Sequence, residues 1–377
     1  MQSLLAALTA RTDTIVADLM EWCACESPSS DGVATSRMAA IVALHMGNHG
    51  ADVTLLPGER HGALVRASWP GPAGAAPVLL LGHHDTVHPL GSLARNPVRV
   101  EDGRLYAPGS YDMKGGLLLA VAALATLTAD GHTLPRPVVF ISTADEEVGS
   151  LDSRALIEET ARGAAAVLVL EPAARNGALK TARKGTGMYT VVARGQASHA
   201  GVDHTAGISA ITELAHQVIA LAGLTNYANG VTVNVGQVQG GTATNTVAAE
   251  ATALIDVRVP TDGDARRLDA AILSLQPVLP GAKLEVTGYM DRPPMERNPG
   301  TVRLFELAHR LGAEIGLDLQ EIATGGASDG NLTAALGVPT LDGLGVCGDG
   351  AHTDHEWVSI ADIAPRGAVL AGLLSHL

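Results

Sequence analysis

The sequence predicts an α/β protein that carries an inserted α+β domain. Three observations lead there. Between residues 78 and 170, short fully apolar runs alternate with helical runs over brief connections, the pattern of a mainly parallel sheet covered by helices. From about residue 184 to 289 the order becomes strand-helix-strand-strand-helix-strand, the split ferredoxin-like unit. After Asp291-Arg292-Pro293-Pro294 the α/β rhythm resumes. A chain of 377 residues has room for both parts. The expected boundaries are 1–183 and 292–377 for the first domain and 184–291 for the insert.

In chain order, residues 2–20 carry apolar positions at helical spacing, and 36–48 form a second helix closed by Gly50. Strands are expected at 53–56 and 63–68, then a buried one at 78–81. Residues 90–108 are loop with a short hairpin that turns at 101–103. A long apolar helix is expected at 116–127, a buried strand at 136–143, a helix at 153–162 and a strand at 165–170. The insert reads as strand 187–193, helix 207–221, strands 231–238 and 248–259, helix 265–275 and strand 283–289. The last part holds a helix at 301–311, a glycine-rich loop at 324–330, a helix from Asn331, a strand at 338–341 and a helix from Ile360.

Composition narrows the function classes. With only two Phe, the core must be built from Val, Leu, Ile and Ala. A net charge of −14 argues against nucleic acid or an anionic membrane as partner, since both need a basic surface. Cys23, Cys25 and Cys347 are too few and too irregular for a disulfide framework or a thiolate zinc site, and fit a reduced cytosolic protein. The N-terminus lacks a basic segment before an apolar run, and no uninterrupted apolar run is of membrane-spanning length, so a cytoplasmic location is expected.

The chemistry lies at the end of each buried strand. His83 and Asp85 come after the first, Glu146 and Glu147 after the second, Glu171 after the third. His352 comes after the last, and Asp112 precedes the long apolar helix. Ligands in open α/β folds bind at the carboxyl ends of strands, so these side chains converge on one sheet edge. Nitrogen and oxygen donors without thiolate suit zinc or a similar divalent ion. So many adjacent carboxylates would repel unless cations lay between them, and their number suggests two ions bridged by one carboxylate. Asp112, short and on a tight loop, is the natural bridge. One of Glu146 and Glu147 is then a ligand and the other a general base. Water between two such ions loses a proton near neutral pH and becomes the nucleophile.

The motifs H-x-D-T-V at 83–87, G-x-x-D-x-K-G-G at 109–116, D-E-E-x-G-S at 145–150 and S-H-A-G at 198–201 together resemble the dinuclear-zinc metallopeptidases and deacylases. That family includes glutamate carboxypeptidase, acetylornithine deacetylase, succinyl-diaminopimelate desuccinylase and aminoacylase, and the glutamate carboxypeptidase branch is nearest. The resemblance implies a mixed-sheet zinc-peptidase catalytic domain with an inserted lid and dimerisation domain, and two Zn2+ per chain that Co2+ or Mn2+ can replace. His83 and Glu171 would bind one ion, Glu147 and His352 the other, with Asp112 between them and the peptide bond after it cis. Glu146 would be the general base, and Asp85 would orient His83.

In the insert, His199 would reach into the partner's site of a homodimer and stabilise the tetrahedral oxyanion. Asn245, Arg258 and Arg292 would hold the substrate carboxylate. Ala327 stands where relatives often carry glycine. His84, His88, His204 and His355 fall outside the matched pattern and read as structural or solvated. Cys347 reads as packing, and Lys180, Arg183 and Lys184 receive no role. The implied function is hydrolysis of an amide or peptide bond in an amino-acid derivative with a free carboxylate. An N-acyl-amino-acid deacylase is the alternative, and a non-catalytic binding protein on the same fold is the rival from another class.

Overall fold

A computed structural model of the chain describes residues 1–129 and 133–377. The chain divides into two compact units, one of Met1–Ala182, Arg297–Ala323 and Ser328–Leu377, the other of Arg183–Glu296 and Thr324–Ala327.

The first unit is built on a six-stranded mixed sheet. Its order is Asp52–Leu56, Leu64–Trp69, Val138–Thr143, Val78–His83, Ala166–Val169, Thr340–Leu341. The last four strands run parallel, and the first two join antiparallel. The three central strands are buried along their whole length, as expected of strands covered on both faces.

Side-chain alternation feeds two separate cores. Val78, Leu80, Phe140 and Leu168 enter the larger one with the helices Gly115–Ala129 and Ile363–His376. Leu79, Leu81, Val139, Ile141, Val167 and Val169 enter the smaller one with Ile157, Ala161 and Leu332. A one-residue slip of any central strand would exchange the two sets. Truncating one of these leucines to alanine costs about 2–5 kcal/mol.

The helix Gly115–Ala129 is apolar all round and buried from Gly115 to Leu127, which suits a helix enclosed by core. The stretch Ser110–Ala129 is long and apolar enough to cross a membrane by composition, and it is mostly buried inside the protein. Gly116 permits a close approach of helix to strand end: a Cβ there would lie 2.0 Å from the Leu170 carbonyl oxygen.

Several elements differ from the sequence expectation. The first helix is two, Gln2–Ala10 and Thr12–Ala24. Arg11 leaves helical geometry between them, and its Nη1 donates to Thr126 Oγ1 at 3.3 Å. The second helix passes residue 20 because Trp22 and Cys23 are buried. The next helix, Gly32–Asn48, starts four residues before 36, since Asp31 caps it by accepting the Val33 and Ala34 N–H groups at 3.0 Å.

A small sheet is anticipated only in part: its hairpin of Arg99–Glu101 and Arg104–Tyr106 is the one expected to turn at 101–103, but the strands that join it have no counterpart in the sequence expectation. The hairpin Gly348–Asp349 with Trp357–Ser359 joins Arg104–Tyr106, which pairs with Arg99–Glu101. Its strands of two and three residues are too short to show a period.

The second unit is a four-stranded antiparallel sheet ordered Thr232–Gly240, Glu250–Val259, Gly185–Arg194, Lys283–Arg292. With the helices Ala210–Ala222 and Asp262–Leu273 it encloses its own core. This is the ferredoxin-like order expected of the insert. The first helix begins at Ala210 because Ser209 caps Thr212. The unit extends past 291 to Glu296 and takes in Thr324–Ala327. Lys184 N–H donates to the Thr324 carbonyl at 3.0 Å, and Arg183 Nη1 donates to the Gly326 and Ala327 carbonyls at 3.1 and 3.2 Å.

Candidate active site

The carboxyl ends of the central strands bring the first unit's chemistry together. His83 ends its strand in register with Thr143. Glu146 and Glu147 come next in a 3-10 turn, Glu146–Val148. Glu171 lies just beyond Ala166–Val169. Asp112 sits at a non-helical position before Gly115–Ala129, and its bond to Met113 is cis. His352 occupies the loop of the Gly348–Asp349 hairpin with φ +64°.

One carboxylate joins the two histidines. His83 Nε2 lies 3.2 Å from Asp112 Oδ1, and His352 Nε2 lies 3.4 Å from Asp112 Oδ2. Each histidine also meets a glutamate: His83 Nε2 is 3.6 Å from Glu171 Oε1, and His352 Nε2 is 3.3 Å from Glu147 Oε2. Donor atoms of His83, Asp112 and Glu147 lie within 4.8 Å of one another, as do those of His83, Glu146 and Glu171. Of the neighbouring glutamates, Glu147 meets His352, and Glu146 sits with His83 and Glu171.

Asp85 organises the floor. His83 Nδ1 is 3.0 Å from the Asp85 carbonyl and 3.3 Å from Oδ1, which turns Nε2 toward the other donors. Asp85 Oδ2 accepts from the Ser29 hydroxyl at 2.6 Å and from Glu147 N–H at 3.2 Å, and Oδ1 accepts from Glu146 N–H at 3.3 Å. One buried side chain thus holds both a ligand candidate and the turn that carries the glutamates.

The electrostatics reflect that crowding. Burial opposes a charge on His83, but the carboxylates of Asp112, Asp85 and Glu171 outweigh it and hold its pKa well above the ordinary value. Asp112, then Glu147, raise His352 to about 10 against a smaller burial effect. Burial pushes Asp112 up, yet His352 and His83 together hold it well below the carboxylate range. Burial raises Glu147, offset in part by His352 and His83. Burial lowers His84 to about 4; its Nδ1 is 2.9 Å from the Ser142 hydroxyl, so it belongs to the floor and not to the cluster.

The donor set fits divalent cations. It offers two imidazoles and several carboxylates without thiolate. His83 Nε2, Asp112 Oδ1 and Glu147 Oε1 are buried without a hydrogen-bond partner among the described residues, and such atoms are costly unless something else binds them.

His199, Asn245, Arg258 and Arg292 lie in the second unit. His199 is exposed, and its Nδ1 accepts the N–H groups of Gly201 and Val202 at 3.1 and 3.2 Å, which leaves Nε2–H as a donor. Asn245 is beside it, since Ala200 N–H donates to the Asn245 carbonyl at 2.9 Å. Arg258 and Arg292 both pair in register with Thr186, one on each side of the Gly185–Arg194 strand. Arg292 is buried, whereas Arg258 makes a bidentate pair with Asp256 at 3.0 and 2.9 Å.

Sequence reasoning missed three supports. Ser29 carries Asp85. Asp329 accepts the Ser150 hydroxyl beside the Glu146–Val148 turn. Glu356 and His88 hold the Asp112 loop. Glu356 closes the Gly350-Ala351-His352-Thr353-Asp354-His355-Glu356 motif, and that position was the one available signal for it.

Known proteins place the arrangement. Residues 79–376 match the model of peptidase family M20/M25/M40. Carboxypeptidase G2 from Pseudomonas sp. (strain RS-16) is 33% identical over 312 residues, covering 81% of this chain and 74% of that protein. Acetylornithine deacetylase from Myxococcus xanthus is 29% identical over 326 residues, covering 81% of each. The crystal structure of aminopeptidase PepT from Bacillus cereus ATCC 10987 superposes with a TM-score of 0.79 at 23% identity, covering 97% of this chain and 98% of that one, a likeness of fold. The mixed sheet, the strand-end cluster and these matches make the chain a hydrolytic enzyme that belongs to peptidase family M20/M25/M40.

Proposed function

We propose that the enzyme is a two-zinc amidohydrolase that cleaves the amide or peptide bond of a small amino-acid derivative with a free carboxylate. One observation carries this: Asp112 offers one oxygen to each of two histidines, and each histidine has its own glutamate. His83 and Glu171 would hold one ion, His352 and Glu147 the other, and Asp112 would span them. A pair of divalent ions bound there supplies carbonyl polarisation and a water of lowered pKa.

The remaining work falls to the chain's own groups. Glu146, beside His83 and Glu171, takes the water's proton and delivers it to the leaving amine. Asp85 holds His83 by Nδ1, so Nε2 stays aimed at the site. His199 presents Nε2–H, the donor that a tetrahedral oxyanion needs, and acts in the partner's site of a homodimer formed through the second unit, the lid. Arg292, Arg258 and Asn245 bind the substrate carboxylate. For Arg258 that means exchanging Asp256 for the substrate, one bidentate carboxylate for another. The free cysteines suit a reducing cytoplasm.

Carboxypeptidase action is favoured by the 33% identical carboxypeptidase G2 relative. Deacylation of N-acyl amino acids is the second reading, favoured by the 29% identical deacetylase. The test is a hydrolysis screen of N-acyl amino acids against peptides ending in Glu, Asp or a neutral residue, run on wild type and Glu146→Gln with zinc content measured in both. The variant is expected to keep its zinc and lose about 10²–10⁴ in kcat. Full activity in zinc-loaded Glu146→Gln would remove Glu146 from the mechanism, and a wild type that hydrolyses none of these compounds would overturn the substrate class proposed.

A further inference from the structure

The carboxylate that spans the two histidines sits on backbone that no regular element holds. Asp112 has φ −115° and ψ +94°, and Gly109 before it has φ +71°. The N–H groups of such a loop need acceptors from elsewhere. One side chain supplies them. Glu356 is fully buried. Its Oε1 accepts from Tyr111 N–H and Asp112 N–H, both at 2.8 Å. Its Oε2 accepts from Gly109 N–H at 2.8 Å and from His88 Nε2 at 2.7 Å. Four donors fill the four acceptor sites of a carboxylate. As the carboxylate only accepts, the His88 nitrogen that faces it carries the proton.

The topology gives this latch its meaning. Glu356 lies four residues after His352, in the same hairpin, whose arms pair as Asp349 with Trp357. Trp357 in turn pairs with Tyr106, just before the Asp112 loop. A single hairpin therefore grips Asp112 twice: His352 meets its carboxylate at 3.4 Å, and Glu356 holds its backbone N–H at 2.8 Å.

We infer that Glu356, braced by His88, is a positioning residue that fixes the Asp112 carboxylate between the two histidines and thereby sets the affinity for both ions. This rests on the metal-dependent reading above. Glu356 touches neither ion nor substrate, and acts through the backbone of Asp112.

The test compares full-length wild type, Glu356→Ala, Glu356→Gln and His88→Ala. Each is stripped of metal and titrated with Zn2+ against a chromophoric chelator. Circular dichroism checks the fold of the metal-free chain, and kcat and KM are measured separately at saturating Zn2+. Glu356→Ala is expected to weaken zinc binding about 10–100-fold and to lower kcat more than it raises KM. Glutamine keeps an acceptor for Tyr111 and Asp112 but turns an NH2 group toward Gly109 N–H, so the loss in Glu356→Gln is smaller. His88→Ala removes one brace and falls between wild type and Glu356→Ala. Should Glu356→Ala fail to fold, the other two variants carry the same comparison. Wild-type zinc affinity in every folded variant, with only the melting temperature lowered, would overturn the inference and leave the hydrolase reading standing. A wild type that binds no zinc would instead overturn the reading beneath it.

Discussion

The carboxylate of Asp85 accepts the backbone N–H of Glu147 at 3.2 Å while its other oxygen lies 3.3 Å from His83 Nδ1. The position of one imidazole and the position of the acidic turn are therefore set by the same buried group. Asp85 is itself kept below the usual carboxylate range: burial opposes its charge, and His83 and Ser29 outweigh that.

Replacing Asp85 with Asn tests this coupling. The amide has one acceptor oxygen where the carboxylate serves Ser29, Glu146 and Glu147. Zinc affinity and kcat/KM are expected to fall about 10–100-fold each. Unchanged values of both would show that the contact does not position the site.

Removing single donors tests the two-ion reading. Wild type is expected to hold about two zinc ions per chain after dialysis. Asp112→Ala should lose both, because both histidines face that carboxylate. His352→Ala should lose one and keep the ion of His83 and Glu171. Elemental analysis reads this directly, and equal loss in the two variants would rule out a bridging Asp112.

Subunit mixing tests His199. His199→Ala and Glu146→Gln chains, each inactive alone, are expected to regain activity when mixed, because one site of the heterodimer then has both residues intact. Chain exchange is tracked by native mass spectrometry. Exchange without recovered activity would place His199 in its own chain's site.

The second unit has its own acid-sensitive point. Glu213 is fully buried and accepts from Gln217 Nε2, Val278 N–H and Leu279 N–H at 2.7–3.0 Å. Burial raises its pKa, but these donors, Leu279 N–H first, bring it below the ordinary 4.5. A folded pKa below the unfolded one means stability that is complete above 4.5 and lost as pH falls through the folded value. Denaturant melts from about pH 7 to about pH 3 should show wild type losing stability more steeply than Glu213→Gln below that point. Glu213→Ala, which leaves two N–H groups unpaired, should cost about 1–3 kcal/mol at neutral pH.

What was legible in the sequence depends on distance along the chain. His83, Glu147 and Glu171 each come a few residues or less after a buried apolar run, so strand position alone brings them to one sheet edge. The insert showed itself by its changed order of elements. Glu356 did not, because a buried acid looks like a surface acid until its partners are known, and Gly109 lies 247 residues away. The hairpin carrying His352 was invisible for another reason: strands of two and three residues have no period to read. Asp31 lies before the helix start expected at 36, although its capping role is local and an Asp immediately before a helix is a recognisable start.

Exposure divides the five donors unevenly. The His83 side chain is 1% exposed and that of His352 is 53%. The two halves of the site should accordingly differ in exchange rate. A chelator arriving from solvent meets the His352 side first, so stripping is expected to be biphasic, with a fast-leaving ion on the hairpin and a slow one against the sheet. The enzyme's working range of free zinc would then be set at its rim by one hairpin loop, while the sheet-side ion stays with the fold.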